Sequence, residues 1–270
     1  MKILLIAPHQ DDEILAAGGL IQKSIKQGDD FLILFATNGD YHGLDIARKR
    51  YYESEHALTS LGLAKKSIFY LGYGDTGMKY SHSFLKRMSF EKNDTLLSSL
   101  VSSTTYHPAG MKTVHVMRTG VETSLTRRAF LSDLNWFIVQ HSPDIIIVSD
   151  HAALIELLQN TDVFNQVPIC LTYIIHGGND SLWPPRDSQK FTCPPVCDSK
   201  MWNKRISIPL TNQEQHYKYK AIFSFATQLE GDFDNFLVSF SKQEEIFFLL
   251  RDTRINRQKI YSHFEYKENL

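Results

Sequence analysis

The chain has 270 residues, 43% of them hydrophobic, and 29 basic side chains stand against 30 acidic ones. That is enough to bury one sizeable core, and the near-zero net charge leaves no bulk attraction to nucleic acid or to an anionic membrane, so a small-molecule substrate is expected. No run approaches the ~18 apolar residues of a membrane span, and residues 1–7 are too short for the apolar region of a signal peptide, which makes a cytoplasmic location the expectation.

In chain order, apolar runs alternate with helical patterns. Ile3 to Ala7 reads as the first strand, followed by a helix from about Asp12 to Gln27 in which Gly18-Gly19 allows close packing, then by a second buried strand, Phe31 to Ala36. Thr37-Asn38-Gly39-Asp40 is a turn, Leu44 to Leu61 a helix closed by Gly62, and Ser67 to Leu71 a third strand ending in Gly72-Tyr73-Gly74. Residues 76–122 have weaker periodicity and more Ser, Thr, Gly and His, which suits an elaborated loop region over the active edge. His82, His107 and His115 lie there without an assigned role. Ser124 is a plausible N-cap for a helix to about Gln140, ended by Pro143. The run Ile145-Ile146-Ile147-Val148 is a fully apolar strand that ends in Ser149-Asp150-His151 and leads into a helix to about Gln159.

A further strand, Ile169 to Ile175, ends at His176-Gly177-Gly178. Residues 179–204 are Pro-rich and irregular; Trp183-Pro184-Pro185 either walls an aromatic sugar-binding face or packs a loop. The cysteines, Cys170, Cys193 and Cys197, are odd in number and form no C-x-x-C pair, which fits a reducing compartment better than a disulfide framework, although a Cys193–Cys197 link is sterically conceivable. Ile206 to Leu210 is a short strand, and Thr211-Asn212-Gln213-Glu214 has capping-box spacing before a helix to about Leu229. The order predicts an α/β fold: a Rossmann-like, mostly parallel sheet flanked by helices, in a single domain over residues 1–270, with the active site at the carboxyl ends of the strands.

Two strand-to-helix mouths carry the chemistry. At the first, Pro8-His9-Gln10-Asp11-Asp12-Glu13 delivers an imidazole and three carboxylates just after a buried strand. Helix capping and the helix dipole account for Asp11 to Glu13 without any ligand, but not for His9. If the strand at 3–7 lies beside the strand at 144–148, His9, Asp12 and His151 can converge on one ion. Two imidazoles and a carboxylate with a position left open describe a catalytic zinc site, with Asp11 free to act as a base on the attacking water. A nucleotide-binding reading is weak, because the first turn holds acids where a pyrophosphate needs a glycine-rich cradle.

Those residues resemble a known family. The 8–13 segment is similar to the His-Pro-Asp-Asp-Glu signature of the PIG-L/LmbE-like N-acetylglucosamine deacetylases, zinc-dependent enzymes that hydrolyse the acetamide of a GlcNAc-type sugar. Thr37 to Asp40 resembles the family's Thr-Asn-Gly-Asp, and Arg50, Glu53, Ala57, Leu61 and Gly62 match its Arg-x-x-Glu-x-x-x-Ala-x-x-x-Leu-Gly helix. Leu71-Gly72-Tyr73-Gly74-Asp75-Thr76-Gly77 looks like its Leu-Gly-x-x-Asp-Gly turn, Thr126-Arg127-Arg128 through Pro143-Asp144 like its Tyr-Thr-Arg…Pro-Asp stretch, and Tyr217 to Gln228 like its late helix.

The resemblance implies one zinc ion per chain on His9, Asp12 and His151, Asp11 as general base, and Arg50 and Asp75 as contacts to the sugar of an amino-sugar conjugate. It also exposes a departure. The family's His-Pro-Asp-His motif survives here only as Asp150-His151, and Val148 stands where the motif's first histidine, a stabiliser of the intermediate or a proton donor, is expected. His176 is the candidate to replace it. The eroded motif keeps a second reading open, a degenerate relative that serves as a non-catalytic sugar-binding or scaffold protein.

Overall fold

A computed structural model describes residues 1–75, 83–178, 182–232 and 235–252. Five parallel strands run in the order β3 (Ile68–Tyr73), β2 (Asp30–Thr37), β1 (Lys2–Ala7), β4 (Ile145–Ser149) and β5 (Ile169–Tyr173), and the sheet continues through β7 (Glu244–Asp252) to β6 (Ile206–Pro209). β7 is antiparallel to both β5 and β6. The α/β, Rossmann-like, mostly parallel architecture is therefore present, with one antiparallel strand, β7, between the parallel set and the edge strand β6.

β1 from Ile3 to Ala7 and β4 from Ile145 to Val148 are apolar because both of their faces are covered. Side chains alternate between two cores: Ile3, Leu5, Ala7, Ile145 and Ile147 join one cluster, and Leu4, Ile6, Ile146 and Val148 join the other. The first core is closed by α1 (Asp12–Gln27), α2 (Leu44–Ser60) and α8 (Asn212–Ile222). The second is closed by α3 (Phe84–Phe90), α5 (Arg127–His141) and α6 (Ala152–Gln159). Full burial of each such Ile or Leu side chain stabilises the fold by about 1.5–3 kcal/mol.

One buried polar feature organises the first core. At Ala17 (φ −138°, ψ 16°) the backbone of α1 leaves helical geometry. In an unbroken helix the Gly19 N–H would bond the Leu15 carbonyl. Here Glu245 of β7 accepts from the N–H groups of Gly19 and Leu20 at 2.7 and 2.8 Å, and Lys218 of α8 donates to the Leu15 carbonyl at 2.7 Å. The two side chains pair at 2.8 Å and have no exposed side-chain surface. Gly19 has no room for anything larger, since a Cβ there would sit 2.3 Å from Leu210.

Several expected boundaries are corrected. The helix expected to be capped by Ser124 starts two residues later than that cap implies, at Arg127, with Thr126 as its cap; Leu97 and Thr104 bridge to Leu125 and Ser124, which holds that stretch extended. The region 76–122 is not loop throughout: among its described residues it contains α3 and α4 (Val114–Thr119). The helix expected to reach Leu229 breaks after Ile222 and resumes as α9 (Ala226–Leu229), and the Pro-rich stretch contains a short helix, α7 (Ser199–Asn203). β3 runs on to Tyr73, and the strand expected to reach Ile175 stops at Tyr173. β7 was not anticipated. Its first residues are glutamates and Leu249 and Leu250 are exposed, so its apolar alternation is short. His82, Thr76 and Gly77 lie outside the described residues.

Candidate metal centre and active site

Register sets the site. Ile6 is paired with Val148 in adjacent parallel strands, so His9 and His151, each three residues further on, leave the sheet side by side at its carboxyl edge. The chain runs outward from β1 through β2 to β3 and, on the other side, through β4 to β5. The crevice between β1 and β4 is therefore the switch point of an open α/β sheet, the place where such folds bind ligands.

At this edge His9 Nδ1 lies 3.3 Å from Asp11 Oδ1 and 3.1 Å from Asp12 Oδ2. One ligand atom from each of these three residues falls within 4.8 Å of the others, in a half-buried to buried setting. Asp11 does not cap the helix with its side chain; only its carbonyl serves the helix start, accepting from Ile14 and Leu15 at 3.0 Å. Its backbone has φ 109°, outside the range side chains prefer. The strain is held by Glu13, whose carboxyl accepts from the Asp11 N–H at 2.9 Å and from the Ser54 hydroxyl at 2.7 Å. The capping explanation for Asp11 is thus not the one the structure uses.

Arg50 is 6% exposed and turns into the site. Its Nη2 donates to the Gln10 carbonyl at 2.5 Å and to Asp11 Oδ2 at 3.4 Å. Burial works against ionisation of Asp11, but the Arg50 guanidinium and the His9 imidazole outweigh it and hold the carboxyl below its ordinary range. Burial and the charge of Asp11 push Asp12 up to about 6. For His9, burial favours the neutral ring, yet Asp12 and Asp11 overcome it and raise the imidazole to about 9.

His151 begins α6 without capping it. Burial, then the nearby His9, keep its ring neutral, and Asp75 acts on it in the opposite sense. Neutral imidazole is the form that ligates. His151 Nδ1 is buried without a hydrogen-bond partner, while Asp12 Oδ2 is buried beside the His9 ring, 3.1 Å away; a buried nitrogen without a partner costs free energy unless a cation or water satisfies it. His151 is not in the tight His9–Asp11–Asp12 group, but this orphaned nitrogen and the mixed N/O set fit a divalent ion such as zinc.

Asp75 stands at the end of β3, where its N–H donates to Asp40 Oδ1 at 2.5 Å; the Tyr106 hydroxyl donates to Asp40 Oδ2 at 2.6 Å. His176 is exposed and stacks on Phe236 with ring centroids 5.6 Å apart and planes at 6°. Its charge lowers the pKa of both Asp12 and Asp150, so it faces the same edge. Val148, in place of a histidine, is fully buried in the second core. Trp183 is also buried, packs on Phe191 and Phe240 and donates its indole N–H to the Thr192 carbonyl at 2.9 Å, so it packs a loop. His107 packs on Tyr51 and Tyr70, and His115 pairs with Asp133 at 2.9 Å; both serve the fold.

Sequence reasoning gave no site role to four neighbours, Asp150, Tyr173, Asp40 and Tyr106. Asp150, raised to about 7 by burial and by Asp12, adjoins the site. The Tyr173 hydroxyl is buried without a partner, and the charges that raise its pKa include Asp12 and Asp150. Asp150 follows a buried strand as Asp11 does, which was a usable signal; the pairing of Asp40 with Tyr106, 66 residues apart, had none.

The PIG-L model, described as GlcNAc-PI de-N-acetylase, matches residues 4–158, more than half of the chain. The chain belongs to the PIG-L family. A diacetylchitobiose deacetylase from Thermococcus kodakarensis is 32% identical over 94 residues, which are 32% of this chain and 34% of that protein, so the chain spans about a third of the length of this curated relative. Among solved structures, a deacetylase of the teicoplanin biosynthesis pathway superposes with a TM-score of 0.56 at 12% identity, covering 92% of this chain and 97% of the other. An N,N'-diacetylchitobiose deacetylase from Pyrococcus horikoshii gives 0.50 at 15% identity, covering 92% and 83%. At such identities these likenesses speak for the shared fold. No described helix is long and apolar enough to cross a membrane.

Proposed function

We propose that this PIG-L family member is a zinc-dependent hydrolase that removes the N-acetyl group from a GlcNAc-type amino sugar or its conjugate, as a single-domain protein of the cytoplasm. The observation that carries the reading is the His9–Asp11–Asp12 cluster together with His151 Nδ1, buried without a hydrogen-bond partner. Family membership and the deacetylase activity named for the Thermococcus kodakarensis relative support it.

His9, Asp12 and His151 would hold the ion. When bound, a zinc ion supplies Lewis-acid chemistry, polarising the acetamide carbonyl and easing ionisation of water. The remaining work falls to the chain. Asp11, kept ionised by Arg50 and His9, takes the proton of the water whose oxygen bonds to the acetyl carbon. The C–N bond then breaks and the amine leaves with a proton from protonated Asp11 or from His176, while Asp75 and Arg50 hold sugar and base in place. Incubating the protein with zinc and a panel of GlcNAc conjugates should release acetate and free amine, and a chelator should stop it.

Val148 favours a second reading. An aliphatic side chain sunk in the core can neither stabilise an oxyanion nor donate a proton, as a non-catalytic, sugar-binding relative requires. Tight sugar binding with no acetate released from any conjugate in the zinc-loaded protein would select it.

A further inference from the structure

The segment from Cys193 to Met201 takes no part in the chemistry above, yet it carries three sulfur-bearing side chains within nine residues, two of them in direct contact. In Cys193-Pro194-Pro195-Val196-Cys197 the Cys197 N–H donates to the Pro194 carbonyl at 2.9 Å, closing a four-residue turn. Pro195 sits at its second place, where the fixed proline φ suits a turn. The turn brings the chain back on itself, so that Cys193 Sγ lies 3.6 Å from the Cys197 carbonyl. Asp198 then caps α7, accepting from the Met201 N–H at 2.6 Å. That cap sets Met201 one helical turn beyond Cys197, and its Sδ lies 3.8 Å from Cys197 Sγ. The Val196 N–H donates to the Gly177 carbonyl at 3.0 Å, which fastens the loop to the sheet.

Packing explains only part of this grouping: Cys197 is half-buried against the first core, but Cys193 is exposed and Met201 38% exposed. Sulfur atoms sharing one ion at bonds of about 2.3 Å lie about 3.8 Å apart in a tetrahedral set and about 4 Å apart in a trigonal one. The Cys197–Met201 separation meets that requirement without rearrangement.

We infer that Cys193, Cys197 and Met201 form a binding site for a soft monovalent metal ion of the Cu(I) class. Two thiolates and a thioether suit Cu(I), whereas harder divalent ions go to the imidazole–carboxylate set at the sheet edge. Each thiol gives its proton to solvent as its sulfur bonds the ion, so two protons leave per ion, the methionine is unchanged and no electron moves. Burial first, then Cys193, Asp150 and Asp198, push the Cys197 thiol up to about 11. A bare thiolate is disfavoured there, and one that shares a cation is not. The site is independent of the deacetylase reading.

The test is an anaerobic titration of the full-length chain with Cu(I), using bathocuproine disulfonate as competitor and following thiolate-to-copper absorption in the ultraviolet. One ion per chain is expected. Removing a thiolate ligand should exceed the ten- to hundredfold effect of losing an outer partner, so Cys193→Ser and Cys197→Ser should each weaken binding at least about a hundredfold, and loss of the weaker, uncharged thioether in Met201→Leu about tenfold. Cys170→Ser, at a buried thiol of β5, should change nothing. Thermal melting of each variant close to that of the parent separates loss of ligand from loss of fold. Unchanged affinity in the double Cys193→Ser, Cys197→Ser variant overturns the site, as does unchanged affinity in Met201→Leu. Oxidation of the two thiols to a disulfide during titration, read by mass, also overturns it.

Discussion

Two clusters of buried charge in this molecule differ in one respect. In the Lys218–Glu245 pair under α1, the ammonium and carboxylate have each other and also the backbone groups that the kink at Ala17 sets free. At the carboxyl edge of β1 and β4, His151 Nδ1 is buried without a hydrogen-bond partner, and Asp12 Oδ2 and Asp11 Oδ1 crowd one side of the His9 ring at 3.1 and 3.3 Å. The first cluster completes a helix. The second is complete only with something added, and the comparison teaches that the polar groups a fold leaves unsatisfied, more than those it buries, mark where a ligand belongs.

Five experiments break or sharpen that contrast. The largest effect is expected at the satisfied cluster: Lys218→Met strands a buried carboxylate and should cost about 3–5 kcal/mol in denaturant unfolding. Many buried ion pairs tolerate joint replacement by apolar residues. This one should not, because Lys218→Met with Glu245→Leu still leaves Leu15 O, Gly19 N and Leu20 N without partners; a double variant as stable as the parent would remove the structural role assigned to the pair.

At the unsatisfied cluster the loss should be of activity. Asp11→Asn keeps the shape but not the proton acceptor, so acetate release should fall about a hundredfold or more while metal content and unfolding midpoint hold. His151→Ala should lower bound zinc from about one per chain, measured by elemental analysis, and unchanged zinc would strike His151 from the ligand set.

The pH dependence follows from the same groups. A cation needs His9 neutral and Asp12 ionised, and their values lie at about 9 and about 6. Below about pH 9 one proton must leave per ion bound, so the zinc dissociation constant should rise about tenfold for each unit of acid, and more steeply below about pH 6. The smallest and most discriminating change is His176→Gln. A several-fold rate loss with disappearance of a histidine-like alkaline limb assigns the leaving-amine proton to His176; an intact profile assigns it to Asp11.

How legible each cluster was follows from where its partners lie in the chain. His9, Asp11 and Asp12 are contiguous and follow an apolar strand, and His151 follows another, so strand patterning alone brought them to one edge. The five parallel strands themselves were readable for the same reason, since fully covered strands are unbroken apolar runs, but their spatial order came from the structure. Lys218 and Glu245 are 203 and 226 residues from the helix backbone they complete. Each is an ordinary charge in its own window, and β7 was missed along with Glu245. Arg50 was placed from its match to the family helix, but its hold on Asp11 depends on side-chain reach, which spacing does not specify.

The backbone at Asp11 has an evolutionary corollary. A φ of 109° suits glycine and no acidic residue, so Asp11→Gly would relax the turn and discard the carboxylate in one step. Drift toward greater stability therefore runs toward an inert protein, and a lineage that keeps aspartate at this position reveals selection for its chemistry. Across relatives with an eroded His-Pro-Asp-His motif, this position becomes a test of which have retired from catalysis.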